Sequence, residues 1–249
     1  MNIPLKSAVE MEAMRVSCRM AAEVLAAVAA AVAPGVTTGD LDALARRLIA
    51  ERKARPSFLG YKGYPAAMCV SVNDEVIHGI PGRRAVRLGD VVSLDVGVLK
   101  DGFHGDCATT VMVGVTDPDV IRLVEATRRA LAAAVAAVKP GGRLSDVSHA
   151  VQGIAEAAGC SVVREFVGHG VGRQLHEDPQ VPNYGRPGHG PVLRPGMTLA
   201  IEPMVNLGRG GVNVLDDGWT VVTKDGMPSA HFEHTVAVLE GRVEVLTVA

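Results

Sequence analysis

The segment GHGVGRQLHEDP, Gly168 to Pro179, carries two imidazoles, His169 and His176, in a glycine-punctuated stretch that lets backbone pack close to whatever they bind. Acidic residues stand at the ends of strand-like runs on either side: Asp95 and Asp106 upstream, Glu202 and Glu233 downstream. One neutral imidazole nitrogen with four carboxylates is a borderline-to-hard ligand set, suited to divalent Mn, Fe, Co or Zn. Four carboxylates gathered in one place need about two dications to balance them. Singly, each residue has a plainer explanation. Asp95 and Asp106 could be turn or capping carboxylates, and a lone His169 would more often be a hydrogen-bonded core histidine. Glu202 in TLAIEPM and Glu233 in HFEHTVAVL are harder to set aside, because each puts a carboxylate at the end of a run that should be buried, where an unpaired charge is costly. His104, His149 and His189 lack such a context and read as surface or packing residues.

The elements that must position these groups follow from pattern. Residues 7–33 hold few breakers and are rich in Ala, Met, Glu and Arg, which predicts a long amphipathic helix stopped by Pro34-Gly35. Leu41, Leu44, Ala45, Leu48 and Ile49 recur at helical spacing in a second helix from Thr38 or Asp40 to about Lys53. Pro56 to Pro81 holds three of the eight aromatic residues among turn formers and reads as loop and strand, with MCVSV the best strand and NDEV a turn. Val91 to Val98, the turn KDG, and Phe103 to Val113 read as a hairpin. Residues 119–138 are helical again, closed by Lys139-Pro140-Gly141, with a further helix from near Ser145-Asp146.

This order repeats itself. AAVAAAVAPGVTTGDL (26–41) aligns with AAAVAAVKPGGRLSDV (132–147), pairing Pro34 with Pro140, Gly35 with Gly141 and Asp40 with Asp146. An Ala-rich helix ending in Pro-Gly could recur by chance, but the strands repeat too. LGDVVSLD (88–95) aligns with PGMTLAIE (195–202) and sets Asp95 against Glu202; Asp106 before ATTVMVG matches Glu233 before HTVAVLEG if the second copy carries roughly twenty extra residues. The expected fold is therefore α+β: pseudo-twofold duplicated halves, about 7–115 and 119–245, whose strands pair into one curved antiparallel sheet covered by helices, within a single domain. Four carboxylates at repeated positions with a Gly-flanked histidine between them point to a shared metal site.

Composition narrows the alternatives. With 25 basic and 27 acidic residues, the net charge of -2 offers no electrostatic footprint for nucleic acid. No apolar run is long enough to cross a bilayer, and MNIPLKSAVEMEAMR lacks the apolar core and small-residue cleavage site of an export signal. Cys18, Cys69, Cys107 and Cys160 show no CxxC spacing and are expected to be reduced thiols of a cytoplasmic protein.

The ordered ligands Asp95, Asp106, His169, Glu202 and Glu233, in the contexts NDEVIHGIP, DVG, GDCATT, GHGVGRQLHEDP, IEPM and EHT, resemble those of the bacterial type I methionine aminopeptidases of the pita-bread metallopeptidase fold. The resemblance runs from about Lys6 to the last predicted strand. Related Xaa-Pro aminopeptidases, prolidases and creatinases share the ligands but carry an additional N-terminal domain. Type II enzymes carry a helical insertion between the last two acidic ligands, for which the spacing from Glu202 to Glu233 leaves no room. Another pita-bread peptidase, or a non-catalytic binding protein on the same scaffold, remains the alternative; the non-catalytic relatives lose ligands that this chain retains.

The resemblance implies two divalent ions about 3.5 to 4 Å apart, bridged by Asp106 and Glu233, with Asp95 completing one and His169 and Glu202 the other. It implies Glu202 as general base, His176 toward the developing oxyanion and His78 toward the scissile amide. Tyr61, Tyr64, Cys69, His78 and Trp219 match the positions of a methionine pocket, whose aromatic edges and sulfur suit a thioether. Phe58 and Leu175 depart from the pattern: Phe58 stands where a small residue is common and Leu175 where an aromatic precedes the second histidine, a possible volume exchange across the pocket. A monovalent cation, Na or K, near Asn73, Glu75 and Ser229 is a further family feature. The implied substrates are nascent polypeptide N-termini with a small second residue, met near the ribosome by a monomer.

Overall fold

Two helix pairs pack on antiparallel strands, one pair from each half of the chain. The computed structural model describes residues 3–249. Helices α1 (Ala8–Ala31) and α2 (Thr38–Glu51) precede the first strand hairpin, and α3 (Pro118–Ala137) and α4 (Leu144–Ala157) follow it. Their starts are fixed locally. Ser7 and Glu10 form a reciprocal capping box at α1, as Thr37 and Asp40 do at α2, and Asp117 caps α3 with Pro118 in its first turn. Met11, Met14, Cys18, Ala21, Leu25 and Val28 lie on one stripe of α1 and are buried, so this helix is held by tertiary packing.

The strands of the first half are β1 (Arg55–Pro56), β2 (Met68–Val72), β3 (Glu75–Ile77), β4 (Val91–Lys100) and β5 (Phe103–Met112). Those of the second are β6 (Ser161–Val162), β7 (Gly168–Gly170), β8 (Glu177–Val181), β9 (Thr198–Ile201), β10 (Met204–Asn206), β11 (Val212–Val214), β12 (Val221–Thr223), β13 (Ser229–His231), β14 (His234–Leu239) and β15 (Arg242–Val245). In the β4–β5 hairpin Lys100 pairs with Phe103, and Asp101 and Gly102 both have positive φ, as a two-residue type I′ turn requires.

The strands do not form the one unbroken ladder expected. They form four: β1–β4–β2 with β5 on β4, β13–β10–β6, β11–β12–β3, and β15–β14–β9–β7–β8. The break follows Glu202. Pro203 has no N–H with which to extend the β9 ladder, and β10 to β12 occupy the extra stretch of the second half. The halves meet instead through an antiparallel bridge between Ala108 and Glu233 and through the β3–β12 pairing.

Each helix pair has its own core. Val24, Leu25, Val28, Leu41 and Ile49 pack on Met68, Val70, Leu94 and Val96; Leu123, Val124, Leu131, Val147 and Val151 pack on Leu199, Ile201, Val205 and Val236. Each such buried aliphatic side chain contributes on the order of 1.5–3 kcal/mol. The four cysteines are buried and unpaired. Among the described residues no helix is long and apolar enough to cross a membrane.

Candidate metal centre and substrate cleft

The hairpin register sets the first two carboxylates. Asp95 on β4 pairs with Ala108 on β5, and Asp106 pairs with Gly97, so the two aspartates are diagonal neighbours on one face. Cys69 pairs with Asp95 on the other edge of β4, and Ala108 pairs onward with Glu233. A row of Cα partners, Cys69, Asp95, Ala108 and Glu233, thus crosses the seam between the halves. Both aspartates lie within the two strands of the predicted hairpin, and not at the ends of the strand-like runs beside them. Val96 and Val98 continue the apolar pattern past Asp95, and the ladder runs on to the Asp101-Gly102 turn.

The second half supplies the rest. His169 on β7 pairs with Ala200 on β9, and Ala200 pairs with Thr235 on β14. Glu202 and Glu233 lie two residues from Ala200 and Thr235, on the same side. Side chains at 168 or 170 would collide with the carbonyl oxygens of Ala200 and Asp178, at 2.4 and 2.3 Å from an added Cβ, so glycines flank His169 because neighbouring strands approach there. The Thr235 hydroxyl donates to the Asp106 carbonyl at 2.8 Å, and the Glu233 N–H to the Ala108 carbonyl at 2.9 Å.

All five predicted ligands face one cavity. Asp106, His169 and Glu233 each offer a ligand atom within 4.8 Å of the others. His169 Nε2 lies 3.5 Å from Glu202 Oε1 and 4.0 Å from Asp106 Oδ2. Asp95 Oδ1, Asp106 Oδ1 and Glu233 Oε1 are buried without any hydrogen-bond partner. Burial and neighbouring carboxylates push Asp95, Asp106 and Glu233 well above the usual carboxylate range, and burial raises Glu202 to about 8. Such a group cannot be fully ionised without added positive charge, and its orphaned oxygens fit divalent cations. His169 is prepared as a neutral ligand. Burial and the His176 ring lower its pKa to about 3, and its Nδ1 pairs with the Gly170 carbonyl at 2.8 Å, leaving Nε2 toward the carboxylates.

The cavity, about 280 Å³, opens from this cluster into an aromatic cleft. Phe58, Tyr64, Cys69 and Leu175 are buried together there, with Tyr61 and Trp219 packed against them. Trp219 meets Tyr64 edge-on at 5.0 Å between centroids, and the Tyr64 hydroxyl donates to the Met68 and Gly79 carbonyls. Phe58 has room because residue 97 is glycine: a Cβ there would stand 2.6 Å from Phe58 Cε1.

Two further histidines frame the cleft. His78 has φ 60, unusual for a residue with a side chain, and lies edge-on to Phe166 and Trp219; burial and the His231 and His176 rings lower its pKa to about 4. His176 is solvent-exposed, stacks on Tyr61 at 5.2 Å and stands 4.2 Å from the His169 ring. Partial desolvation and Lys62 lower it, too, to about 4. Of the histidines set aside, His149 and His189 are exposed, while half-buried His104 pairs with Ser57 Oγ at 2.8 Å. Asn73, at φ 63, accepts the Ser229 N–H on its carbonyl at 2.9 Å, and Glu75 accepts the Val72 N–H and pairs with Arg84.

Sequence reasoning passed over His231, which is 1% exposed with Nε2 3.5 Å from Glu202 Oε2. Its two-residue spacing from Glu233 was the available signal. Lys62, Glu165 and Phe166, which line the cleft, were missed as well.

Residues 12–240 match the metallopeptidase family M24. Methionine aminopeptidase 1 of Bacillus subtilis (strain 168) is 49% identical over 242 residues, 97% of this chain and 98% of its own. The crystal structure of methionine aminopeptidase from Thermotoga maritima matches with a TM-score of 0.98 at 48% identity, covering 100% of both chains. Prolidase from Pyrococcus furiosus matches with a TM-score of 0.79 at 22% identity, covering 98% of this chain and 65% of that one, a likeness of fold alone. The buried acidic cluster thus sits in a scaffold matched almost from end to end, and the chain belongs to metallopeptidase family M24, with the pita-bread fold and a metal-dependent hydrolase activity.

Proposed function

We propose that the protein removes the N-terminal methionine from nascent polypeptides whose second residue is small. The observation that carries this reading is the convergence of Asp95, Asp106, His169, Glu202 and Glu233, three of them with orphaned buried oxygens, at the end of a cavity of about 280 Å³ walled by Tyr64, Cys69, Leu175 and Trp219. The relatives that the chain matches over nearly its whole length are methionine aminopeptidases.

Asp95, Asp106, His169, Glu202 and Glu233 would together hold two divalent ions. Bound there, the ions supply the charge that four carboxylates demand, polarise the scissile carbonyl and make water acidic near neutral pH. Glu202 accepts the proton of the attacking water and returns it to the leaving amine; its burial already raises its proton affinity. His176 donates to the oxyanion and His78 to the scissile amide, both held beside the cluster by aromatic contacts. The unbranched thioether of methionine lies among Tyr61, Tyr64, Cys69 and Trp219, with Phe58 and Leu175 setting the volume between them.

Further parts of the reading rest on the resemblance of the whole chain to its relatives. We take residues 1–249 as one catalytic domain of two duplicated halves, acting as a cytoplasmic monomer near the ribosome. The ions are drawn from Co, Mn, Fe and Zn. The carbonyls of Asn73, Glu75 and Ser229 take one Na or K ion, supported by the contact of Asn73 with Ser229.

The test is direct. Chelated protein is reloaded with Mn, Co, Fe or Zn and offered Met-Ala-Ser, Met-Leu-Ser and an Xaa-Pro peptide. Release of methionine from Met-Ala-Ser alone is expected, with Asp106→Ala inactive. Preference for the Xaa-Pro peptide would assign the site to a proline-specific peptidase.

A further inference from the structure

Glu202 is bracketed by two imidazoles. Its Oε1 lies 3.5 Å from His169 Nε2 and its Oε2 lies 3.5 Å from His231 Nε2. His169 has the role already proposed for it, but His231 does not touch the cavity and has none. It is among the largest fully buried side chains, and its Nε2 is buried with no hydrogen-bond partner. A buried polar nitrogen left unpaired is costly and calls for an explanation. The nearest acidic oxygen is that of the residue read as the general base.

The backbone at His231 is unusually well held. Its N–H donates to Thr110 Oγ1 at 3.0 Å, and the same hydroxyl donates to the His231 carbonyl at 2.7 Å while Ser93 Oγ stands 2.9 Å away. The hydroxyl therefore clamps both backbone groups of His231 to β5, the strand that carries Asp106. On its other side His231 pairs with Met204 in the β10–β13 ladder. Glu202 has no such anchorage: it lies between β9 and β10, where the chain changes ladder, and precedes a proline. A fixed imidazole beside a carboxylate on a connecting segment is arranged to orient it.

We propose that His231 is a positioning residue for hydrolysis, whose neutral imidazole donates Nε2–H to Glu202 Oε2 and so keeps Oε1 turned toward His169 and the other ligands. The inference rests on Glu202 acting as the base. The separation of 3.5 Å is at the long limit of a hydrogen bond, and contacts of this kind tighten when the reacting complex assembles. A neutral imidazole carries its proton on one ring nitrogen and not on the other. Facing a carboxylate oxygen that accepts, as Glu202 does when acting as the base, the proton belongs on Nε2.

The test compares His231→Leu, which removes the donor at similar size, with His231→Gln, which keeps a side-chain N–H, using Mn-loaded protein and Met-Ala-Ser. His231→Leu should lower kcat by about ten- to a hundredfold, with KM and metal content within about twofold of wild type. His231→Gln should recover most of the loss. In the wild-type protein loaded with Zn, nitrogen NMR should find the His231 proton on Nε2. A His231→Leu protein with wild-type kcat, a His231→Gln protein as slow as His231→Leu, or a proton on Nδ1 would each overturn the proposal, and the NMR result stands even if a variant does not fold. Wild-type protein inactive on Met-Ala-Ser would instead defeat the aminopeptidase reading, while the tautomer would still report on the pairing with Glu202.

Discussion

Ala108 and Glu233 exchange backbone hydrogen bonds across the seam between the halves, from Glu233 N–H at 2.9 Å and from Ala108 N–H at 3.4 Å. That pair is a mechanical link between a hairpin bearing two aspartates and a segment bearing a glutamate. Thr235 reinforces it from below, since its buried hydroxyl reaches the Asp106 carbonyl. The spacing of the carboxylates therefore depends on a few cross-seam contacts rather than on a continuous ladder.

Replacing Thr235 with valine keeps the shape and removes that donor, leaving the Asp106 carbonyl short of a partner. The expected cost is about 1–2 kcal/mol of stability, seen in a denaturant melt. Metal affinity should fall as well, measured by calorimetric titration of chelated protein. Unchanged affinity would mean that the ligands hold their spacing without the hydroxyl.

The buried carboxylates and imidazoles give the metal-free protein a pH signature. Asp95, Asp106, Glu202 and Glu233 bind protons more tightly folded than unfolded, so their contribution to stability is present at low pH and is lost as pH rises toward the folded pKa, about 8 for Glu202. His78, His169, His176 and His231 are shifted down, to between about 3 and about 4. Their contribution appears as pH rises and is complete above about 6.5. The two sets oppose one another in acid, but between about 6.5 and 8 only the carboxylates act. Chelated protein should lose stability across that window, by up to about 1.4 kcal/mol per pH unit for each group titrating. Metal-loaded protein should not, and melting temperatures of both forms from pH 6.5 to 8 provide the check.

The gathering of these side chains at one cavity was legible in the sequence because it is written at spacings the backbone imposes. Asp95 against Glu202 and Asp106 against Glu233 stand out once the halves are aligned, and glycines around His169 mark the close approach of β8 and β9. What the sequence hid was decided between segments. The breaking of the sheet at Pro203 depends on where β10 finds its partners. His231 was passed over although aligning Asp106 with Glu233 sets it against His104, because its value comes from Glu202, far away in the chain.

Phe58 and Leu175 share one buried apolar cluster, so a change at either alters the space left to the other. Phe58→Cys should open a gap and Leu175→Phe should overfill one, each lowering kcat/KM for Met-Ala-Ser. The double variant restores the total volume and should recover turnover, giving a coupling energy of about 0.5–3 kcal/mol in a double-mutant cycle. Losses that simply add would show that the two side chains set the pocket independently.

Gly97 ties that wall to the ligands, because it pairs with Asp106 on one side and lies under Phe58 on the other. Alanine at 97 would place its methyl 2.6 Å from Phe58 Cε1 and 2.7 Å from Ser57 Cβ, both well inside contact distance. The ring lines the cleft and can swing into it, while Ser57 is held by its N–H to the Gly97 carbonyl and by its hydroxyl to His104. Gly97→Ala should therefore cost about 1–3 kcal/mol of stability and raise KM for Met-Ala-Ser more than it lowers kcat, because the ring is pushed into the space for substrate and not into the acidic cluster. Adding Phe58→Leu should relieve the clash with the ring but not that with Ser57, so KM should recover while part of the stability loss persists. A Gly97→Ala protein whose kcat falls while KM holds would mean that the strain passes through β4 to Asp106 instead.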